Sequence, residues 1–183
     1  MTKKALIILA DGFEETEGIA TIDILRRAGI AVTVAGLTDT TVISSHKIKI
    51  IAETSLQNIH GDFDALILPG GSQGSENLHR SELVTALIKN MHTSGKIIAA
   101  ICAAPATILA PIGILDTKTA TCYPGMEDAF PPSTTFKPAR VVIDGPLITS
   151  RAAGTTCEFA LAIVEKLIGK EPAQKVRDSI LAL

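Results

Sequence analysis

The chain has 183 residues, 46% of them hydrophobic and 20% charged, which is enough for a single α/β domain over residues 1–183 with a large core. A formal net charge of -2 and a pI near 6.1 give no basic footprint for nucleic acid, and 3% aromatic residues without tryptophan give no base-stacking platform. The three cysteines, Cys102, Cys122 and Cys157, have neither paired spacing nor a neighbouring His/Cys cluster, so no disulfide framework and no metal site is suggested, and a reducing cytoplasm is the expected setting.

Residues 5–10 follow Lys3 and Lys4 in the manner of a secretory signal, but Asp11 and Gly12 cut the apolar run short, so it reads as a first strand. Residues 14–28 predict a helix, with Glu14, Glu15 and Glu17 at its start, Arg26 and Arg27 at its end, and Gly29 as a stop. Residues 31–35 read as a second buried strand and 42–52 as an antiparallel excursion. Residues 65–68 read as a third buried strand, followed by a glycine loop over 69–74 and a helix over 81–94 before Gly95. Residues 96–101 are a strand that runs without a spacer into a helix over 103–109.

No charge falls between Ile97 and Leu115, yet the alanine content and Pro105, Pro111 and Gly113 argue against a membrane span. Four prolines and little periodicity make 123–138 a long loop. A hairpin is expected over 141–149 around Asp144-Gly145. A late helix opens on a capping box of Thr155 and Glu158 and closes at Gly169, and Pro172 starts the last helix. The alternation describes a mostly parallel, doubly wound sheet with helices on both faces.

Cys102 sits at the strand-to-helix junction, where small neighbours (Ala100, Ala103, Ala104) allow the sharp turn of a nucleophile elbow. Unpaired amides at a helix N-terminus favour a thiolate there. An inert core cysteine is the competing reading, because free cysteine is among the most buried residue types. In a doubly wound sheet, ligands bind beyond the carboxyl ends of the strands. Three loops converge on that edge: 11–17, 69–74 and the Cys102 turn. The glycine loop lacks a full G-x-G-x-x-G and does not follow the first strand, so no nucleotide cofactor is expected. Beside a thiol, the Gly71 and Ala103 amides suit a developing oxyanion instead. Glu17 is either an ordinary acidic residue of a first helical turn or, if it faces Cys102, a carboxyl kept protonated by burial and able to shuttle a proton.

Several segments taken together resemble the ThiJ/PfpI superfamily: Ala-Leu-Ile-Ile-Leu-Ala with Asp-Gly-Phe-Glu-Glu-Thr-Glu, Leu-Pro-Gly-Gly, Ala-Ala-Ile-Cys-Ala-Ala-Pro, and Thr-Ser-Arg-Ala-Ala-Gly-Thr with Glu-Phe-Ala-Leu-Ala-Ile. The resemblance runs from Lys4 to Ile168 and is strongest to the branch of the parkinsonism-associated deglycase and its bacterial relatives. It implies a flavodoxin-like three-layer sandwich and a homodimer, with a reactive cysteine at Cys102 and a partner acid at Glu17. The activity it implies is cofactor-independent glyoxalase or deglycase chemistry on small dicarbonyls or glycated proteins. Apolar Ile19, Ile22 and Leu25 on the first helix fit a dimer as well.

Protease-like members carry His after the nucleophile, whereas this chain has Ala103, so proteolysis is not expected. Tyr123 occupies the position where the deglycase branch often has a histidine. His46, His60, His79 and His92 are expected to face solvent, Cys157 to lie in the core, and Cys122 to lie near the pocket as a second redox thiol. The alternative to an enzyme is an oxidative-stress sensor or redox-regulated chaperone built on the same thiol.

Overall fold

The computed structural model describes residues 2–182. In chain order the elements are β1 (Lys4–Leu9), α1 (Glu15–Arg27), β2 (Ala31–Gly36), β3 (Thr41–Ile43), β4 (Lys49–Ile51), β5 (Thr54–Ser55), β6 (Ala65–Leu68), α2 (Ser72–His79) and α3 (Glu82–Thr93). They continue with β7 (Ile97–Ile101), β8 (Thr119–Ala120), β9 (Thr135–Phe136), β10 (Val141–Asp144), β11 (Leu147–Ser150), α4 (Thr156–Ile168) and α5 (Lys170–Ser179). Seven strands form the central sheet in the order β10-β11-β7-β6-β1-β2-β5, parallel except for β10, which returns on β11 around the expected Asp144-Gly145 turn.

Successive side chains of a strand point to opposite faces, and β1 illustrates the effect on packing. Ala5, Ile7 and Leu9 pack with Ile22 and Leu25 of α1 and with Phe159 and Ile163 of α4, while Leu6 and Ile8 pack with Leu78 of α2 and Val84 and Ile88 of α3. Both faces are therefore apolar and covered, which is why β1, β6 and β7 read as unbroken hydrophobic runs. The result is the flavodoxin-like three-layer arrangement. Among the described residues no helix is long and apolar enough to cross a membrane.

The ends of the elements reflect local chemistry. Glu14 caps α1, its carboxylate accepting from the Glu17 amide at 2.7 Å, and Ser81 caps α3 through the Val84 amide at 3.3 Å. The glycine loop is shorter than expected, because α2 begins at Ser72. The 123–138 loop contains a 3-10 turn at Glu127–Ala129 and the short strand β9, paired to β8. The expected capping box does not form. Thr155 Oγ1 instead bonds the Ala152 carbonyl and the Ser150 hydroxyl, both at 2.7 Å, and the Glu158 carboxylate is taken by Arg140 at 2.7 Å. The last helix starts at Lys170, two residues before Pro172.

Candidate active site

β7 ends at Ile101, and Cys102 then adopts φ 64°, a left-handed conformation that costs an L-residue roughly 1–2 kcal/mol. Two distant segments hold it there: its N–H donates to the Ser150 carbonyl at 3.0 Å, and its carbonyl accepts from the Tyr123 N–H at 2.8 Å. The sharp elbow expected from the sequence is thus present, and Cys102 is half-buried. The helix after it is wider than an α-helix. Thr107 donates to the Ala103 carbonyl at 2.9 Å, but Ala110 reaches back to Pro105 at 3.0 Å, giving a π-helical turn over Pro105–Leu109.

Glu17, on the first turn of α1, is fully buried. Its Oε2 accepts from the Gly70 N–H at 2.8 Å, while Oε1 is buried without a hydrogen-bond partner of standard geometry. Gly70 separates this carboxylate from the thiol. A Cβ placed on Gly70 would lie 2.5 Å from Cys102 Cβ, 2.7 Å from Glu17 Oε2 and 2.9 Å from the Ile101 carbonyl, so only glycine allows the two side chains to meet. Gly71, at φ 87°, is pressed equally closely against the backbone of Gly12, Phe13 and Glu14. The Gly71 and Ala103 amides both act on the Cys102 thiol, each favouring its ionised form. The sequence singled out Gly71 but not Gly70, although the Pro-Gly-Gly pair was there to be read.

The electrostatics of the pair run against a freely ionised thiol. Burial pushes the Glu17 carboxyl up to about 7, against the pull of the Gly70 amide and of its interaction with Cys102. Burial first, and the Glu17 charge second, push the Cys102 thiol up to about 12, with the Gly71 and Ala103 amides drawing it only part of the way back. The lowered thiol pKa expected from a helix N-terminus is therefore outweighed. Moving one proton from sulfur to Glu17 changes the balance, because it removes the like-charge repulsion and turns the carboxyl into a donor toward the thiolate.

The remaining candidates fall elsewhere. Cys122 is adjacent through Tyr123 but fully inaccessible, with burial as the main force raising its thiol to about 12, so the redox role considered for it lacks access. Cys157 is exposed, not in the core. His46, His60 and His92 are exposed, whereas His79 is half-buried with Nδ1 inaccessible and unpartnered. Of the three apolar residues on α1, Ile22 and Leu25 are core and Ile19 alone is exposed. Ligand-type atoms of Glu14, Glu15 and His46 lie within 4.8 Å of one another. Those carboxylates are already engaged, Glu14 as the cap of α1 and Glu15 with Ser45 and His46.

A flavodoxin-like sandwich that holds a cysteine at a left-handed elbow beside a buried glutamate defines a class of α/β proteins with a cysteine–glutamate pair at the sheet's carboxyl edge. The chain belongs to the DJ-1/PfpI family, whose model matches residues 3–166. It is 46% identical to protein dj-1beta of Drosophila melanogaster, over 99% of this chain and 98% of that one. The crystal structure of that Drosophila protein superposes with a TM-score of 0.96, at 45% identity and full coverage of both chains. The chain is also 37% identical to glutathione-independent glyoxalase DJR-1.2 of Caenorhabditis elegans, over 92% of this chain and 91% of that one.

Proposed function

We propose that the protein is a cofactor-independent glyoxalase, or a deglycase using the same steps, acting on small dicarbonyls or glycated adducts. The reading rests on one observation: a fully buried carboxyl, raised to about 7, faces a half-buried thiol across a glycine, with two backbone amides at the sulfur. Such a pair supplies a nucleophile and a proton carrier near neutral pH without a metal or organic cofactor.

With methylglyoxal as substrate, the Cys102 thiol passes its proton to ionised Glu17 as the sulfur bonds the aldehyde carbon, and the carbonyl electrons move to oxygen. That oxyanion is held by the Gly71 and Ala103 amides and takes the proton from Glu17, giving a hemithioacetal. Ionised Glu17 then removes the proton from the former aldehyde carbon and returns it to the neighbouring carbon, while the hemithioacetal hydroxyl proton passes to the neighbouring oxygen, leaving a thioester of the 2-hydroxy acid. Water cleaves the C–S bond, releases lactate and restores the thiol, so the net reaction is addition of one water. With a glycated amine, the amine leaves as well.

The test is turnover of methylglyoxal by untagged protein in amine-free buffer, with C102S and E17Q beside it. Lactate formation that depends on both residues supports the reading, and its absence from the wild-type protein overturns it. A non-enzymatic redox role is the second reading, favoured by the accessible thiol with two amides at its sulfur and by likeness to the structure titled "Toxoplasma gondii DJ-1, oxidized" (TM-score 0.95, 35% identity, 98% of each chain). There the first event would be oxidation of Cys102 by peroxide to a sulfinate held by the same amides and by protonated Glu17. A homodimer in the cytoplasm is part of either proposal.

A further inference from the structure

The β3–β4 hairpin takes no part in the central sheet, and its strands are only three residues each. It is nevertheless tied to the segment that leads into α1 by a dense set of bonds. Gly12 N–H donates to the Ile43 carbonyl at 2.7 Å, Ile43 N–H to Asp11 Oδ1 at 2.7 Å, and Ser45 N–H to the Phe13 carbonyl at 2.8 Å. Side chains close the arrangement. Ser45 Oγ donates to Glu15 Oε2 at 2.9 Å, and His46 Nδ1 lies 2.7 Å from Glu15 Oε1. Against the desolvation of burial, a hydrogen bond from its own backbone N–H, and after it those from Ser45, Ser44 and His46, hold the Glu15 carboxyl down at about 2, so it is an anion across the working pH range.

The clamped segment is the one on which the thiol's surroundings rest. Glu14 N–H donates to the Gly70 carbonyl at 3.0 Å, Gly71 is pressed against Gly12, Phe13 and Glu14, and Gly74 would meet Phe13 N at 2.6 Å if it carried a Cβ. Gly70 N–H holds Glu17, and the Gly71 amide favours the ionised form of Cys102. Displacement of residues 11–15 therefore moves one donor to the carboxyl and one donor to the sulfur together.

We propose that Ser45 and His46 are positioning residues: through Glu15 they lock the 11–15 segment, and with it the Gly70–Gly71 amides, in the register that lets Cys102 and Glu17 share a proton. The hairpin thus sets thiol reactivity from outside the site. The role rests on the proposed chemistry only in naming its consequence, slower turnover; the state of the thiol is measurable without any substrate.

The experiment tracks alkylation of Cys102 by iodoacetamide from pH 5 to 10, read on the Cys102 peptide by mass spectrometry so that exposed Cys157 does not contribute. In S45A/H46A the Cys102 rate at pH 7 falls roughly fivefold or more and the profile moves to higher pH, as a shift approaching one pH unit requires. H46A alone, at an exposed position, gives a smaller shift in the same direction, and H46N, whose amide can donate as Nδ1–H does, recovers most of it. K49A, exposed on β4, matches wild type. Unchanged Cys102 profiles in both H46A and S45A/H46A overturn the proposal, as does H46N being as impaired as H46A. Methylglyoxal turnover measured on the same samples is a separate outcome: its absence in wild type refutes the glyoxalase reading and leaves the alkylation result standing.

Discussion

Gly70→Ala adds a single methyl group between the thiol and the carboxyl. The position is not left-handed, so the backbone itself tolerates alanine, and any effect is steric. At 2.5 Å from Cys102 Cβ and 2.7 Å from Glu17 Oε2, the new carbon regains ordinary 3.4 Å contacts only if Cys102 retreats by about 0.9 Å and the carboxylate by about 0.7 Å. The Ile101 carbonyl at 2.9 Å blocks a third route. Overpacking of this kind costs about 1–3 kcal/mol, which for a chain of 183 residues is a fall in Tm of roughly 2–12 °C. The chemical cost is larger, because a misplacement near 1 Å lowers turnover on the order of 100-fold. Steady-state kinetics with methylglyoxal and a thermal melt on the same sample test both numbers. A folded G70A protein with wild-type kcat/KM would refute the idea that the close approach of Cys102 and Glu17 matters.

Glu17→Gln abolishes most turnover, since an amide can hold Gly70 but cannot carry the proton. It also changes how stability depends on pH. The folded carboxyl titrates near 7 against 4.5 unfolded, so its stabilising preference for the protonated form is complete below 4.5 and lost by 7, a span worth about 3 kcal/mol. The melting temperature of E17Q relative to wild type should therefore rise as pH goes from 4.5 to 7.5; a difference that stays constant or falls contradicts the burial argument. Cys102→Gly should melt above Cys102→Ala, because only glycine adopts φ 64° without strain, and a more stable alanine variant would deny that strain. Graded peroxide should oxidise Cys102 before Cys157 and leave Cys122 reduced until the protein unfolds, as peptide mass spectrometry can establish. Oxidation of Cys157 first would remove the support for the redox reading.

Legibility of the sequence tracked how locally each feature is determined. β6 falls on the expected residues because an apolar run between polar neighbours can only be a buried strand, and α3 because Ser81 and Gly95 bracket a helical pattern. α2 was hidden: Ser72, Gln73, Gly74 and Ser75 look like loop, and their helical state depends on Gly74 packing against Phe13, a tertiary contact. Cys157 was expected in the core as a residue of the late helix, but it lies on an exposed side of α4. At the site, Cys102, Glu17 and the Gly71 and Ala103 amides were legible from loop convergence, but the net direction of the thiol's pKa was not. It depends on burial and on a neighbouring charge, which spacing does not report.

The two backbone bonds that hold Cys102 in its left-handed conformation also bear on the order of events during synthesis. Their partners are 21 residues and 48 residues further along the chain, at Tyr123 and Ser150. A nascent chain that has emerged only as far as β10 already contains the thiol, Glu17 and both glycines, yet it lacks the carbonyl that pins the Cys102 amide. Until β11 inserts beside β7, that cysteine has no reason to keep a conformation its own side chain disfavours. The left-handed elbow is therefore complete only once the sheet is nearly complete.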